Sequence, residues 1–349
     1  MSYFEAMRLI DEAGLVYGVK HVQNKPRVSS MPYTYDIAEG NVTNHTSWSK
    51  IGYHAAIDTT ELDMRPYAAA TAGIGWSYTF PTAELTMTIA STSAKDCQRA
   101  LTAFADSGTS PGTKTTVTCT SHGLANADSV IIQGTTHYNG TFVLSNVTTH
   151  TFDIIIAFAG NDATGTVRGP GANTITVYYL NAAFEEKTAT VTMLGTTAVQ
   201  VATDIYRIQN VRVATAGPSL VTVGAVSIIS AGQTYGYISL GRTRGRQCIW
   251  TVPLGKTLYV TSIAFSSAQQ TASKYVRFTT KANYDDKSGT VLQRGLFMPF
   301  NEVVLNNTAY FRELNPPTRL PATTDLKVTA LSDSVAIGTC TLRGWTEST

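Results

Sequence analysis

Thr174-Ile175-Thr176-Val177-Tyr178-Tyr179 decides the fold class, and Ala189-Thr190-Val191-Thr192-Met193 repeats its lesson. In the first stretch Ile175, Val177 and Tyr179 alternate with Thr174, Thr176 and Tyr178. In the second, Ala189, Val191 and Met193 alternate with Thr190 and Thr192. A period of two sends one set of side chains inward and leaves the other on the opposite face, which is the pattern of a half-buried strand. Leu85, Met87 and Ile89 alternate in the same way with Thr86, Thr88 and Ala90, and Val221 and Val223 open a further run towards Ile229. Gly171-Ala172-Asn173 and Gly217-Pro218 supply turns between the runs. Short strands with little helix between them predict antiparallel sandwiches.

Working outward, residues 97–168 read as an insertion. The strand at 85–90 and its expected partner at 173–179 are separated by a complete set of strands of their own. Their centres are Val117, Val130-Ile131-Ile132, Phe142-Val143-Leu144 and Phe152-Asp153-Ile154. His122-Gly123 and Asn139-Gly140 are turn signals, the second a favoured hairpin dipeptide. Beyond residue 236 the runs Ile249 to Val252, Leu258 to Phe265, Lys274 to Thr280, Leu326 to Val328 and Val335 to Leu342 predict a second, jelly-roll-like sandwich. Pro253-Leu254-Gly255-Lys256 is a tight turn, and Pro316-Pro317 with Pro321 are expected to break the chain before a final hairpin. The expected architecture is therefore all-β. An N-terminal short helix and extended arm span 1–80, and the first β-sandwich spans 81–96 plus 169–232. The inserted small β domain spans 97–168 and the C-terminal β-sandwich 233–349.

The arm has its own character. Residues 2–14 place Phe4, Met7, Leu9 and Ile10 on one helical face, with Gly14 as a stop. Residues 15–80 show no sustained period but carry Pro26, Pro32, Pro66 and many aromatic rings. Tyr17, Tyr33, Tyr35, Trp48, Tyr53, Tyr67 and Trp76 are the candidate interface residues, because an extended segment cannot bury such rings within itself. They are expected to pack on the chain's own β domain or on a neighbouring copy.

Composition bounds the function. The 349 residues are 43% hydrophobic and only 14% charged, with a net charge of +2. That supports two or three packed cores, and a surface low in charge suits contact with other protein. It gives no footprint for nucleic acid or for a lipid surface. No apolar run is long enough to span a membrane. The start, MSYFEAMRLIDEAG, lacks the apolar stretch of a signal peptide, which predicts folding in a cytoplasm. Cys97, Cys119, Cys248 and Cys340 are far apart and read as reduced thiols.

Motifs for chemistry are missing from the sequence. There is no GxSxG, no GxxxxGK[ST] and no GxGxxG. His21, His45, His54, His122, His137 and His150 have no ligand spacing, and those in the insertion read as solvated turn residues. Asp285-Asp286 lacks the alternating carboxylates of a calcium loop. Arg242, Arg244 and Arg246 form the one basic cluster. They could hold an acidic patch on another subunit, but read first as an exposed linker between sandwiches. Tyr235 and Tyr237 beside them read as core or rim. No catalytic residue, metal or cofactor is expected.

Several blocks carry a resemblance. They are Ile37-Ala38-Glu39-Gly40-Asn41-Val42 with His45, Lys50 and Gly52; Tyr78-Thr79-Phe80-Pro81-Thr82-Ala83 running on to Ser91-Thr92-Ser93-Ala94-Lys95-Asp96; Tyr206 to Val213; and Trp250 to Thr257. Together they resemble an uncharacterised family of bacteriophage virion structural proteins with β-sandwich folds. The insertion, with Thr120-Ser121-His122-Gly123-Leu124 and Tyr138-Asn139-Gly140-Thr141-Phe142, resembles a small β module found inside phage head and tail proteins. The resemblance implies a capsid decoration or cement protein, or a tail component, assembled into virions in the host cytoplasm. Its implied partners are copies of itself, as a trimer, and other virion proteins such as major capsid or tail subunits. A fibre, spike or baseplate protein that binds host surface glycan is the alternative.

Overall fold

The computed structural model describes residues 48–57, 62–63, 78–108, 113–269, 275–284, 298–332 and 336–348. These residues are all-β, built from antiparallel sheets, with no helix among them. The helix expected at 2–14 and the Asp285-Asp286 loop lie outside the described residues. Two compact units emerge: the first holds Thr79–Gly245, and the second joins the strands Trp48–Ile57 and Leu62–Asp63 to the residues from Arg246 onward.

In the first unit one sheet is ordered Glu186–Thr192, Ala172–Leu180, Arg207–Ala216. A second is ordered Val199–Ile205, Leu85–Ser91, Val226–Ser230, Gln233–Ile238. The period-two reading holds: Ile175, Val177, Met87 and Ile89 are buried. Each such side chain contributes roughly 1.5–3 kcal/mol by leaving water. On the other face the threonines satisfy one another across strands. Thr174 and Thr215 hydroxyls lie 2.7 Å apart, and Thr176 and Thr190 hydroxyls 3.0 Å apart. Residues 226–230 and 233–238 form a hairpin, so the first unit extends past residue 232, where the sequence reading ended it. Val221 and Val223 are loop, and the strand starts only at Val226.

The insertion has its own two small sheets. One is ordered Gln98–Ala100, Thr166–Arg168, Ser129–Gln133, Gly140–Val143; the other Ala103–Asp106, Thr115–Thr118, Thr151–Ile154. Phe104 stacks on Tyr138 with centroids 4.3 Å apart, in a core that includes Val117, Ile132, Phe152 and Ile154. The Tyr138 hydroxyl donates to the Gly160 carbonyl at 2.7 Å and accepts from the Ala159 N–H at 2.9 Å, so a buried polar atom is satisfied. The first and last strands of the insertion pair directly, with Gln98 opposite Arg168.

In the second unit one sheet is ordered Trp48–Ile57, Ala336–Ser348, Lys256–Gln269, Ala309–Leu320. The other is ordered Ile249–Thr251, Thr324–Ser332, Val276–Tyr284, Met298–Leu305, with Leu62–Asp63 also beside 324–332. Their inward faces share one core, in which Phe265 stacks on Phe278 at 5.0 Å among Leu258, Val260, Val328 and Leu342. Part of the expected arm is therefore a sheet strand: Trp48 lies opposite Gly344 and Tyr53 opposite Thr339. Pro316-Pro317 do not break the chain. They sit inside the strand 309–320, which is an edge strand and needs no donor on its open side.

Candidate functional site

Among the described residues, the predicted interface residues fall on two stretches, 48–53 and 242–246. Tyr17, Tyr33, Tyr35, Tyr67 and Trp76 lie outside the described residues, and Trp48 and Tyr53 belong to the strand 48–57. Arg242, Arg244 and Arg246 are not a free linker. The Val213 N–H donates to the Thr243 carbonyl at 2.7 Å and the Gly245 N–H to the Val211 carbonyl at 2.8 Å, so the segment lies along the strand 207–216. Arg244 stands opposite Arg212. Arg242 is exposed, while Arg244 and Arg246 are half-buried.

Among the described residues no three His, Cys, Asp or Glu side chains converge as a group able to hold a metal. All four cysteines are buried and unpaired with one another. Burial pushes the Cys97 thiol up to about 11 and the Cys119 thiol up to about 12, so neither is a ready thiolate. His137 and His150 are exposed, as expected of turn residues, but His122 is fully buried. Its Nδ1 accepts the Leu124 N–H at 3.0 Å and its ring meets Phe152 edge-on. The turn at 122–124 folds inward because the imidazole itself supplies the acceptor that the buried Leu124 N–H needs.

The best-built polar centre is Asp96, where the insertion begins. Its side chain is fully buried. Oδ1 accepts the Ala172 N–H at 2.7 Å and the Val223 N–H at 3.0 Å. Oδ2 accepts the Gly224 N–H at 2.8 Å and the Ser91 hydroxyl at 2.5 Å. One carboxylate thus ties together the end of one strand, the return from the insertion and the loop 217–224. Gly171 is required beside it, since a methyl there would overlap Asp96 Oδ1. Lys95 pairs with Asp128 at 2.5 Å and links this root to the insertion.

From the Asp96 knot the loop 217–224 reaches a second one. The Thr222 N–H donates to the Arg242 carbonyl at 3.1 Å, the Gly241 N–H donates to the Thr222 carbonyl at 2.9 Å, and the Thr222 hydroxyl donates to the Ser239 carbonyl at 3.0 Å. These fixed loops carry Leu220, 73% exposed, and Leu240, 64% exposed, with exposed Arg242 next to them. Leu220 has φ of +60°, a conformation costly for a branched side chain.

The opposite end of the same strands is acidic. Glu84, Glu185 and Glu186 are exposed and Asp204 is half-buried. Glu84 accepts the Ala182 N–H at 2.8 Å, and Asp204 accepts the Tyr179 hydroxyl at 2.9 Å. Burial first, then Asp204, pushes Tyr179 up to about 12. Arg207 beneath them is buried, donates to the Pro81 carbonyl at 2.6 Å and lies over the rings of Tyr206, Phe80 and Phe184. Its cation is spent inside the fold.

On the outer face of the second unit a shallow depression of about 270 Å³ is lined by Ala264, Ser266, Thr339 and Thr341, with exposed Phe311 beside them. The loop-borne leucines and this depression, like Asp96 and the inward-facing His122, are features the sequence reading missed. A lone Leu in a Gly-Pro-Ser turn gives no periodic signal, and the depression joins three segments distant in sequence. No protein-family model matches the chain, and no curated protein matches it as a relative.

Proposed function

We propose that the chain is a bacteriophage virion structural protein, a capsid decoration or cement protein or another particle-surface component, that works by burying surface between subunits. The observation that carries this reading is what the β frame exposes. Large apolar side chains (Val143, Ile155, Leu220, Leu240 and Phe311) stand in water on a chain only 14% charged. Such surface gains about 25 cal/mol for each Å² removed from water on contact. The resemblance of the blocks at 37–52, 78–96, 206–213 and 250–257 supplies the class of particle. The protein acts as a homo-oligomer, a trimer by analogy with decoration proteins at lattice threefolds, together with major capsid or tail subunits. Negative-stain imaging of the particle with an antibody against this chain tests the reading. Regular labelling of the head or tail surface supports it, and a particle-free pool of the protein in infected cells overturns it.

A second reading, a spike that binds host glycan, draws on the depression beside Phe311, where the hydroxyls of Ser266, Thr339 and Thr341 meet an aromatic ring. Neither reading includes catalysis. A screen against host polysaccharide, peptidoglycan and ester substrates is expected to be blank; turnover abolished by one carboxylate substitution would move the protein to an enzymatic spike.

A further inference from the structure

We infer that the two ends of the first sandwich are mates, so that copies of this chain join head to tail through Leu220, Leu240 and Arg242 of one copy and the Glu84–Glu185 end of the next. The strand Ala172–Leu180 has one end in each region, which puts them about 30 Å apart at ~3.3 Å per residue. The donor end presents two exposed leucines and one exposed cation. The receiving end presents exposed Ala83, Ala182 and Ala183 between the exposed carboxylates of Glu84 and Glu185. Among the described residues Lys187, 3.3 Å from Glu185, is the one exposed cation there, against Glu84, Glu185 and half-buried Asp204. The two ends are therefore complementary in kind, apolar side chains with a cation at one and small apolar residues with carboxylates at the other.

Backbone strain points the same way. Leu220 keeps φ at +60° and yet buries little of its side chain, so folding gains nothing from having leucine there. Asparagine or glycine would fit the backbone better. A strained, exposed apolar residue held by two hydrogen-bonded knots is accounted for by what it meets outside the unit. The mating surfaces differ, so the contact is heterologous, and it closes into a ring or grows as a filament according to the rotation between copies. The insertion grows from the donor end beside Asp96, so the incoming acidic end seats next to its root. This contact does not depend on the particle being viral.

The test is light scattering and sedimentation of the full chain at low and high salt. Association that weakens with salt is expected. Leu220→Asn should weaken it about tenfold while leaving the melting temperature unchanged or higher. Leu240→Ser should weaken it similarly. Arg242→Glu and Glu185→Arg should each weaken it roughly threefold to tenfold, and the two together should restore it. A chain that stays monomeric at its highest soluble concentration overturns the proposal. So does association that none of the four variants changes, or a charge-swapped pair no better than its single variants. A lower melting temperature in Leu220→Asn would mark Leu220 as structural and overturn its part.

Discussion

Asp96 is the side chain that joins three segments of the first unit, at Ser91, at Ala172 and at Val223-Gly224. Replacing it with alanine strands two buried backbone N–H groups, one half-buried N–H and a hydroxyl. Unsatisfied buried donors cost about 1–3 kcal/mol each, partly relieved by relaxation, so Asp96→Ala is expected to lose roughly 3–5 kcal/mol in urea denaturation. Loss under about 1 kcal/mol would show that water replaces the carboxylate. His122 makes a pH prediction. Burial lowers its pKa below the unfolded value of 6.5. The unfolded chain then binds more protons in this range, so stability is present above pH 6.5 and is lost as pH falls from there through the folded value. The melting temperature should drop between about pH 7.5 and about pH 5.5. His122→Asn keeps an acceptor for the Leu124 N–H and should flatten the drop; an unchanged slope would assign it to other groups. Neither role was legible in the sequence. Asp96 gathers donors from residues 172, 223 and 224, and His122 stood beside glycine in what reads as a solvent-facing turn.

At the scale of elements, strands with strict alternation were readable and their order was not. Val130-Ile131-Ile132 and Phe152-Asp153-Ile154 are strands as expected, yet they belong to different sheets. The strand 309–320 was hidden by Pro316-Pro317, because proline signals a break everywhere except at a sheet's edge. That edge is guarded by exposed Arg312 and Glu313 beside exposed Phe311. Changing both charged residues to valine should make the protein aggregate with concentration, seen as rising scattered light; a variant as soluble as the parent would show the edge is covered otherwise. Replacing 97–168 with a short glycine linker should leave the rest folded, because the insertion has its own core and its end strands pair. The remaining unit should melt cooperatively within about 5 °C of the parent. Loss of a soluble, cooperative transition would show that the host relies on Lys95–Asp128 and on the Cys97 carbonyl, which accepts from the Asn173 amide at 2.8 Å and the Gly169 N–H at 2.8 Å.

For the whole molecule, the threonine-rich alternation was enough to give the fold class, because it follows directly from how strands share faces. The arm was harder. Its aromatic rings offered no period, and one stretch of it, 48–57, completes a sheet with 336–348. A chain beginning at Thr82 therefore loses a strand of the second unit, whereas one beginning at Ser47 keeps it. Thermal melts should show the second unit weakened only in the shorter chain; equal melts would mean that the strand adds nothing to stability. The adjacency of Gln98 and Arg168 has a practical side. Two neighbouring chain ends on a closed, hydrogen-bonded root form a port into which a foreign polypeptide can be spliced without stretching the host. A peptide tag or fluorescent reporter could be carried there, and natural recombination could exchange one cargo for another at the same seam.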